Sequence, residues 1–370
     1  MELGEKMSEK EKKLSQLGVD LSGTKFAGSY IQKNDYIVQL MVKQLLRKNN
    51  VILMDLAEAI EKFSWVKSYL WKVLSPEKDK YIREVSEEKV HGTLLYVPPR
   101  IRISMPIQSC FFISDPDIVQ KVHNVIILDK NSEITLNTTC AAVAGEATHL
   151  GITEIYLKEG AKLNYVMIHG WSPETFVRPR TGAFVEKNGI LNMFYANLKP
   201  VRDIQSYPYI ILEEKASANT TSILLGIKNS HINIGSKIVL RDKESKGEIL
   251  SRAIAQDNSK ITMPAEIESY TSNTKGHIDC KGLQLSEKSY IESLPILKSY
   301  TMGSELTHEA TIGKLSEEGL NYLMSKGFDE DEATSLLVRG FIDVGLGNLP
   351  IIVRPQIEVA LNIIARLAKG

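Results

Sequence analysis

Residues 125–162 read VIILDKNSEITLNTTCAAVAGEATHLGITEIYLKEGAK. Three turn signals break this otherwise apolar or alternating stretch: LDKNSE from Leu128, AGEA from Ala144 and LKEGAK from Leu157. Short strand-like runs are therefore separated by steps of about 13 to 16 residues. Downstream the same punctuation continues at WSPE (171), VEKNG (185), LKPVRD (198), LEEKAS (212), IKNSH (227), RDKES (241), AQDNSK (255), TSNTK (271) and LSEKS (285). Two steps make a unit of about 28 to 30 residues. A fixed period in that range marks a solenoid, whose repeats bury their apolar faces only by stacking on one another. Strands rich in Val, Ile and Leu, with no long helix between them, favour a β-helix over a doubly wound sheet. An antiparallel sandwich would turn every 8 to 12 residues or so, a shorter step than this one. The sequence thus predicts a mainly β protein built on a parallel β-helix (β-solenoid).

Both ends have a helical texture. YIVQLMVKQLL and then MDLAEAIEKFSWVKSYLWKVL place Leu56, Ile60, Phe63, Val66, Leu70 and Leu74 on one helical stripe. Asp55 and Glu58 are spaced as a capping box for that second helix. Beyond residue 303, SEEGLNYLMSKG predicts a helix with Ser316 as N-cap and Gly327 just past its end. DEDEATSLLVRGFID predicts a second, with Asp329 and Glu332 as a capping box and Ala333, Leu336, Leu337 and Phe341 on one face. PQIEVALNIIARLAKG predicts a third amphipathic helix. The expected organisation is a helical N-terminal region (1–80), a β-helix core (81–302) and a helical C-terminal region (303–370).

Forty-five basic and 45 acidic residues balance, so no global positive field exists to hold a nucleic acid or an anionic membrane. No apolar run approaches the roughly 18 residues of a membrane span. The charged start MELGEKMSEKEKKLSQLG lacks the apolar core of a secretory signal, so a cytoplasmic location is expected. Cys110, Cys140 and Cys280 are too far apart for a disulfide framework or a C-x-x-C zinc site.

Nucleotide and hydrolase motifs fail. TIGKLS lacks the first P-loop glycine, since His308 stands there, and Leu315 follows Lys314 where Ser or Thr is required. HEATI has Ile312 where a zinc protease would have its second histidine, and no G-x-S-x-G or G-x-G-x-x-G is present. Clustered carboxylates of a sugar-cleaving β-helix do not stand out either. Two elements remain. In KGHIDCKGL, glycines frame Cys280, and Lys275 or Lys281 nearby would lower the pKa of an exposed thiol. In ELTHEA, His308 and Glu309 are adjacent, and at the irregular start of a helix both could reach one atom. Each also has an ordinary reading: a small buried cysteine, a surface histidine, and a glutamate that complements a helix dipole. Residue 280 plus a 28-residue unit is 308, so the two elements fall about one coil apart. Cysteine, histidine and glutamate together suit iron or an iron–sulfur species.

At these residues the chain resembles the SufB and SufD proteins of iron–sulfur cluster assembly. The likeness runs from about residue 90 through HGTLLYVPPRIRISMPIQ, KLNYVMIHGW, VRPRTGAFVE, IQSYPYIILE, EILSRAIAQ and GHIDCKGL to ELTHEATIGKLSEEGLNYLMSKGFDEDEATSLLVRGF. It implies a right-handed parallel β-helix with helical ends, pairing with a second SufB- or SufD-type chain, and no ATP site of its own. ATP hydrolysis would belong to a SufC-like ABC ATPase docked around Leu336, Leu337, Arg339 and Phe341. It further implies that Cys280, His308 and Glu309 serve a transient iron–sulfur cluster as ligands or sulfur acceptors, with apoproteins receiving the product. The cysteine and the His-Glu pair make the chain look like the SufB kind, a scaffold rather than an enzyme, with a cluster-free SufD-like adaptor as the alternative. For Arg178 and Arg180 in VRPRTG, packing or salt bridges are the expected use.

Overall fold

The computed structural model describes residues 9–88, 91–142, 145–343 and 354–368. The chain opens with α1 (Glu9–Gln16), a hairpin of β1 (Gly28–Lys33) and β2 (Tyr36–Val42), α2 (Gln44–Lys48), β3 (Ile52–Asp55), α3 (Leu56–Lys62), a 3-10 turn (Ser64–Tyr69) and α4 (Lys80–Ser86). Strands follow in unbroken succession: β4 (Thr93–Val97), β5 (Ile107–Ile113), β6 (Ile118–Leu128), β7 (Glu133–Ala142), β8 (Ala147–Leu157), β9 (Lys162–Gly170), β10 (Thr175–Val177), β11 (Arg180–Val185) and β12 (Ile190–Asn197). Next come β13 (Asp203–Ser206), β14 (Tyr209–Leu212), β15 (Ser217–Gly226), β16 (His231–Ile234), β17 (Ser236–Leu240), β18 (Lys246–Ala255), β19 (Lys260–Ser269), β20 (Thr274–Gln284), β21 (Tyr290–Ser299) and β22 (Ser304–Lys314). Three helices close the chain: α5 (Glu317–Ser325), α6 (Glu330–Ile342) and α7 (Arg354–Leu367).

The strands coil into a parallel β-solenoid of about eight turns, as the spacing predicted. One sheet has ten strands in the order β2-β1-β5-β7-β9-β12-β15-β18-β20-β22, and a second sheet faces it. The predicted turns are the corners. Asn131, Gly160, Asn188, Lys215, Glu244 and Asn273 stack there, all left-handed with φ between 57° and 67°. Corner passes a hydrogen bond to corner: Asn131 N donates to Glu159 O (2.9 Å), Gly160 N to Lys187 O (2.9 Å) and Asn188 N to Glu214 O (3.0 Å). Gly, Asn and polar residues at these points are thus the chemistry of a repeated tight corner. A second column bends the other sheet, where Pro179, Pro208 and Gly235 separate paired short strands, and Pro264 lies beside Leu294 in the last two rungs.

Inward residues of both sheets form one continuous core, from Leu95 and Ile107 at the first turns to Ile278, Cys280 and Ile291 at the last. The terminal helices cover the outer faces. Leu14, Leu17, Val338, Ile342, Leu361 and Ile364 pack on the outer face of the ten-stranded sheet. Leu56, Ala59 and Val66 pack on the second sheet at Leu94, Val125 and Ile127. Arg178 and Arg180 also serve this layer: Arg178 pairs with Asp203 (2.5 Å) and bonds Tyr81, while Arg180 pairs with Asp79 (2.9 Å), the N-cap of α4. No helix among the described residues is long and apolar enough to cross a membrane.

Five expectations are corrected. YIVQLMV is the strand β2 and not a helix, because a short apolar run carries both periods and the neighbouring β1 supplies a ladder. The stripe expected from Leu56 to Leu74 is broken at Phe63, extended at φ −129°, so α3 and the 3-10 turn are separate pieces. Asp55 does cap α3 through Glu58 N, but the Glu58 side chain turns to Lys62 instead of closing the box. Finally, the helical texture expected from 303 begins only at Glu317, since 304–314 is the last rung of the solenoid. Ser316, Gly327 and the Asp329–Glu332 box act as predicted. On α6, however, the inward stripe is Ala333, Val338 and Ile342, and Leu336 faces solvent.

Candidate functional site

Because β20 and β22 pair in parallel, residues opposite one another share a face of the sheet. Ile278 lies beside His308, Asp279 beside Glu309 and Cys280 beside Ala310. The rung here is 30 residues long, two more than the unit used to match 280 with 308, so His308 falls two places short of Cys280. Ile278 points into the core, so His308 points the same way; with no further rung beyond it among the described residues, His308 is exposed at the mouth of the solenoid. Adjacent strand spacing and rise put the Cα atoms of Cys280 and His308 roughly 8 Å apart.

Cys280 is fully buried, an inward residue of the core. Burial pushes its thiol above the ordinary range, although the neighbouring Ser293 and Ser251 hydroxyls pull it the other way. This corrects the expected exposed thiolate. The lysines that suggested it are on other errands: Lys275 pairs with Glu305 (2.8 Å), and Lys281 reaches Asp279 (3.4 Å) and Glu309 (3.9 Å). Period-2 alternation explains the error, because Lys281 and Cys280 leave the strand on opposite sides.

Glu309 shares the outer face with Asp279 and Lys281. There Arg252, buried to 2% exposure, grips Asp279 at 2.6 Å and its carbonyl at 3.1 Å. Arg252, Asp279, Lys281 and Glu309 form a ladder of alternating charge ending at the free strand. Neither Arg252 nor Asp279 stood out in the sequence; the signal was their spacing of 27 residues, close to one rung. Among the described residues, no group of three or more His, Cys, Asp or Glu closes around one metal ion. The structure therefore brings Cys280 and His308 to one face within a strand of each other, and leaves Glu309 on the opposite face.

What makes this end chemically open is β22 itself. Nearly all of it is exposed, and among the described residues it pairs only with β20, so one backbone edge is unpaired. Several histidines and cysteines elsewhere are sealed. His149, bonded to Gln120 (2.9 Å), and His169 flank Trp171 inside the solenoid, where burial lowers them to about 4 and about 3. Cys140 is pushed up to about 12 by burial. A cavity of about 430 Å³ under α1, lined by Phe26, Gln108 and Val166 among others, contains none of the site residues.

On the C-terminal helices, Leu336 is 46% exposed, Leu337 and Phe341 are half-buried, and Arg339 is held by Glu358 and Asn362 of α7. Tyr322, Met324 and Phe328 add exposed apolar surface on and just after α5.

A family model described as the SUF system FeS cluster assembly, SufBD core domain, matches residues 111–341. The chain is 36% identical over 350 residues to an iron–sulfur cluster assembly SufBD family protein of Archaeoglobus fulgidus, covering 94% of this chain and 93% of that one. A SufBD family protein of Methanothermobacter thermautotrophicus is 35% identical over 350 residues, at 92% and 84% coverage. The iron–sulfur cluster assembly protein SufB of Bacillus subtilis is 27% identical over 342 residues, at 90% and 73% coverage.

Proposed function

We propose that this chain, which belongs to the SufBD family of iron–sulfur cluster assembly proteins, is a scaffold on which a nascent cluster is assembled at the open end of the solenoid. The observation that carries the reading is the last rung: β22 offers an unpaired edge with His308 over the mouth and Cys280 one strand in. A second SufB- or SufD-type chain on that edge would bring its own residues to the same mouth. Stable clusters usually take four thiolates, and one chain offers a single cysteine here, so shared and incomplete ligation suits a product that must be released to apoproteins. Glu309, on the other face and tied to Lys281, would join only if pairing of the edges twists β22. A SufC-like ATPase would dock on the α5–α6 surface around Leu336, with Arg339 holding α7 against α6 and Leu337 and Phe341 supporting the exposed side. ATP-driven approach of two such subunits would then move one solenoid against the other.

A cluster-free adaptor role is favoured by one observation, the buried and unionised thiol of Cys280. Anaerobic reconstitution with ferrous iron and sulfide separates the two. Wild type is expected to gain visible charge-transfer absorption and bound iron, with Cys280→Ala losing most of both. Equal loading of the two chains, or none in either, would favour the adaptor.

A further inference from the structure

At the other end of the molecule the ten-stranded sheet finishes in β2, which pairs with β1 and with no other strand among the described residues. Its sequence, YIVQLMV, carries no charge. Tyr36, Ile37, Val38 and Leu40 are 38–47% exposed, and they alternate between both faces. Terminal strands are ordinarily guarded against pairing by charge, proline or shortness. The other terminal strands follow that rule: β21 carries Glu292, Pro295 and Lys298, β22 carries Glu305, Glu309 and Lys314, and β3 has four residues and runs into α3. In β2 the register shift opposite Ile31 and Gln32, which leaves Val38 unmatched, is the sole such device.

The strand is nevertheless held firmly. Its turn residue Asn34 donates through its side chain to Asp115 (2.7 Å) and accepts from Ser114 N (3.0 Å). The Asn34 carbonyl accepts from Gln32 (3.1 Å) and Gln120 (2.6 Å), and its N–H donates to Phe112 O (2.9 Å). An edge that is already ordered loses little entropy when it acquires a partner strand.

We infer that β2 is a docking edge for a second copy of this chain, the two strands pairing antiparallel about a two-fold axis at Gln39. In that register Tyr36 meets Val42, Ile37 meets Met41, Val38 meets Leu40 and Gln39 meets its own copy. One residue further out, Asp35 of each copy meets Lys43 of the other. Asp35 is exposed, and Lys43 now spends its ammonium on the Thr24 carbonyl (2.9 Å). A foreign strand would gain the same backbone hydrogen bonds, but only this chain supplies two apolar flanks and two opposite-charge pairs in one register. The contact is independent of whatever pairs at β22.

Cross-linking tests it on the full chain. Across an antiparallel pair the two residues 39 would have Cα atoms about 4.5–5.5 Å apart, within disulfide reach. Residues 37 of the two copies would be about 14 Å apart. Cys110, Cys140 and Cys280 are buried, so background oxidation is low. Gln39→Cys is expected to give mostly disulfide-linked dimer under mild oxidation, and wild type and Ile37→Cys little. By sedimentation, Asp35→Lys should weaken this association by about tenfold, and adding Lys43→Asp should restore it. If Gln39→Cys cross-links no better than Ile37→Cys, or Asp35→Lys leaves self-association unchanged, the inference is overturned.

Discussion

Glu154→Ala is expected to release the helical layer of residues 56–88 from the solenoid, at a cost of about 3–5 kcal/mol. The Glu154 carboxylate is wholly buried and is the anchor of that layer. It accepts from Trp71 N (2.5 Å), Val73 N (2.9 Å), Leu74 N (3.3 Å) and the Tyr156 hydroxyl (3.0 Å), and lies 3.0 Å from His123 Nε2. Trp71, itself left-handed at φ 59°, stacks on the His123 ring at 3.9 Å. Removing the carboxylate orphans several buried donors at once, which is why the cost exceeds that of one hydrogen bond. Burial by itself would raise this acid, but the His123 contact and the Val73 and Trp71 amides outweigh it and hold its pKa below the usual value. A depressed acid contributes stability that is full above the unfolded value of about 4.3 and is lost as pH falls through the folded one. Limited proteolysis followed by mass spectrometry reads the outcome. Wild type should resist cleavage near residues 70–75 at pH 7 and yield it in strong acid, whereas the variant should be cut there at pH 7. Protection of the variant equal to wild type at pH 7 would refute the anchoring role.

The second large effect is steric. Gly235 stands at the bend between β16 and β17, and a Cβ placed on it would lie 1.5 Å from the carbonyl oxygen of Pro264 in the next rung. Backbone cannot swing aside as a side chain can, so Gly235→Ala must push two rungs apart, costing about 3 kcal/mol. Gly313 is its control: a Cβ there meets nothing within 4 Å, and Gly313→Ala should leave stability within about 0.5 kcal/mol of wild type. Urea denaturation midpoints compare the two directly. Similar midpoints for both variants would mean that the rungs at Pro264 yield readily to an added methyl group.

The corners explain how much of the fold could be read in the chain. A left-handed residue is needed once per turn, only a few residue types tolerate it, and their recurrence at Asn131, Gly160, Asn188 and Asn273 wrote the period into the sequence. Nothing comparable marked the first strands, because YIVQLMV has no turn residue inside it and fits either period until β1 is beside it. At the candidate site the residue types were legible and their directions were not. Whether Cys280 faces Lys281 or the core depends on alternation along β20, and whether His308 stacks on residue 278 or 280 depends on a rung of 30 rather than 28 residues. A rung two residues longer than the assumed unit is invisible to an average period.

The stacked corners also give the protein something like a reading frame. Removing one residue inside a strand would invert every side chain from that point to the next corner, sending core residues to solvent and charges into the lumen. Excising a whole rung between equivalent corners, for example Asn188 to Lys215, would leave inside and outside where they were. Such chains can therefore be lengthened or shortened in quanta of one turn, and a deletion scan across β15 should alternate between tolerated and ruinous with the length removed rather than with the identity of the residues.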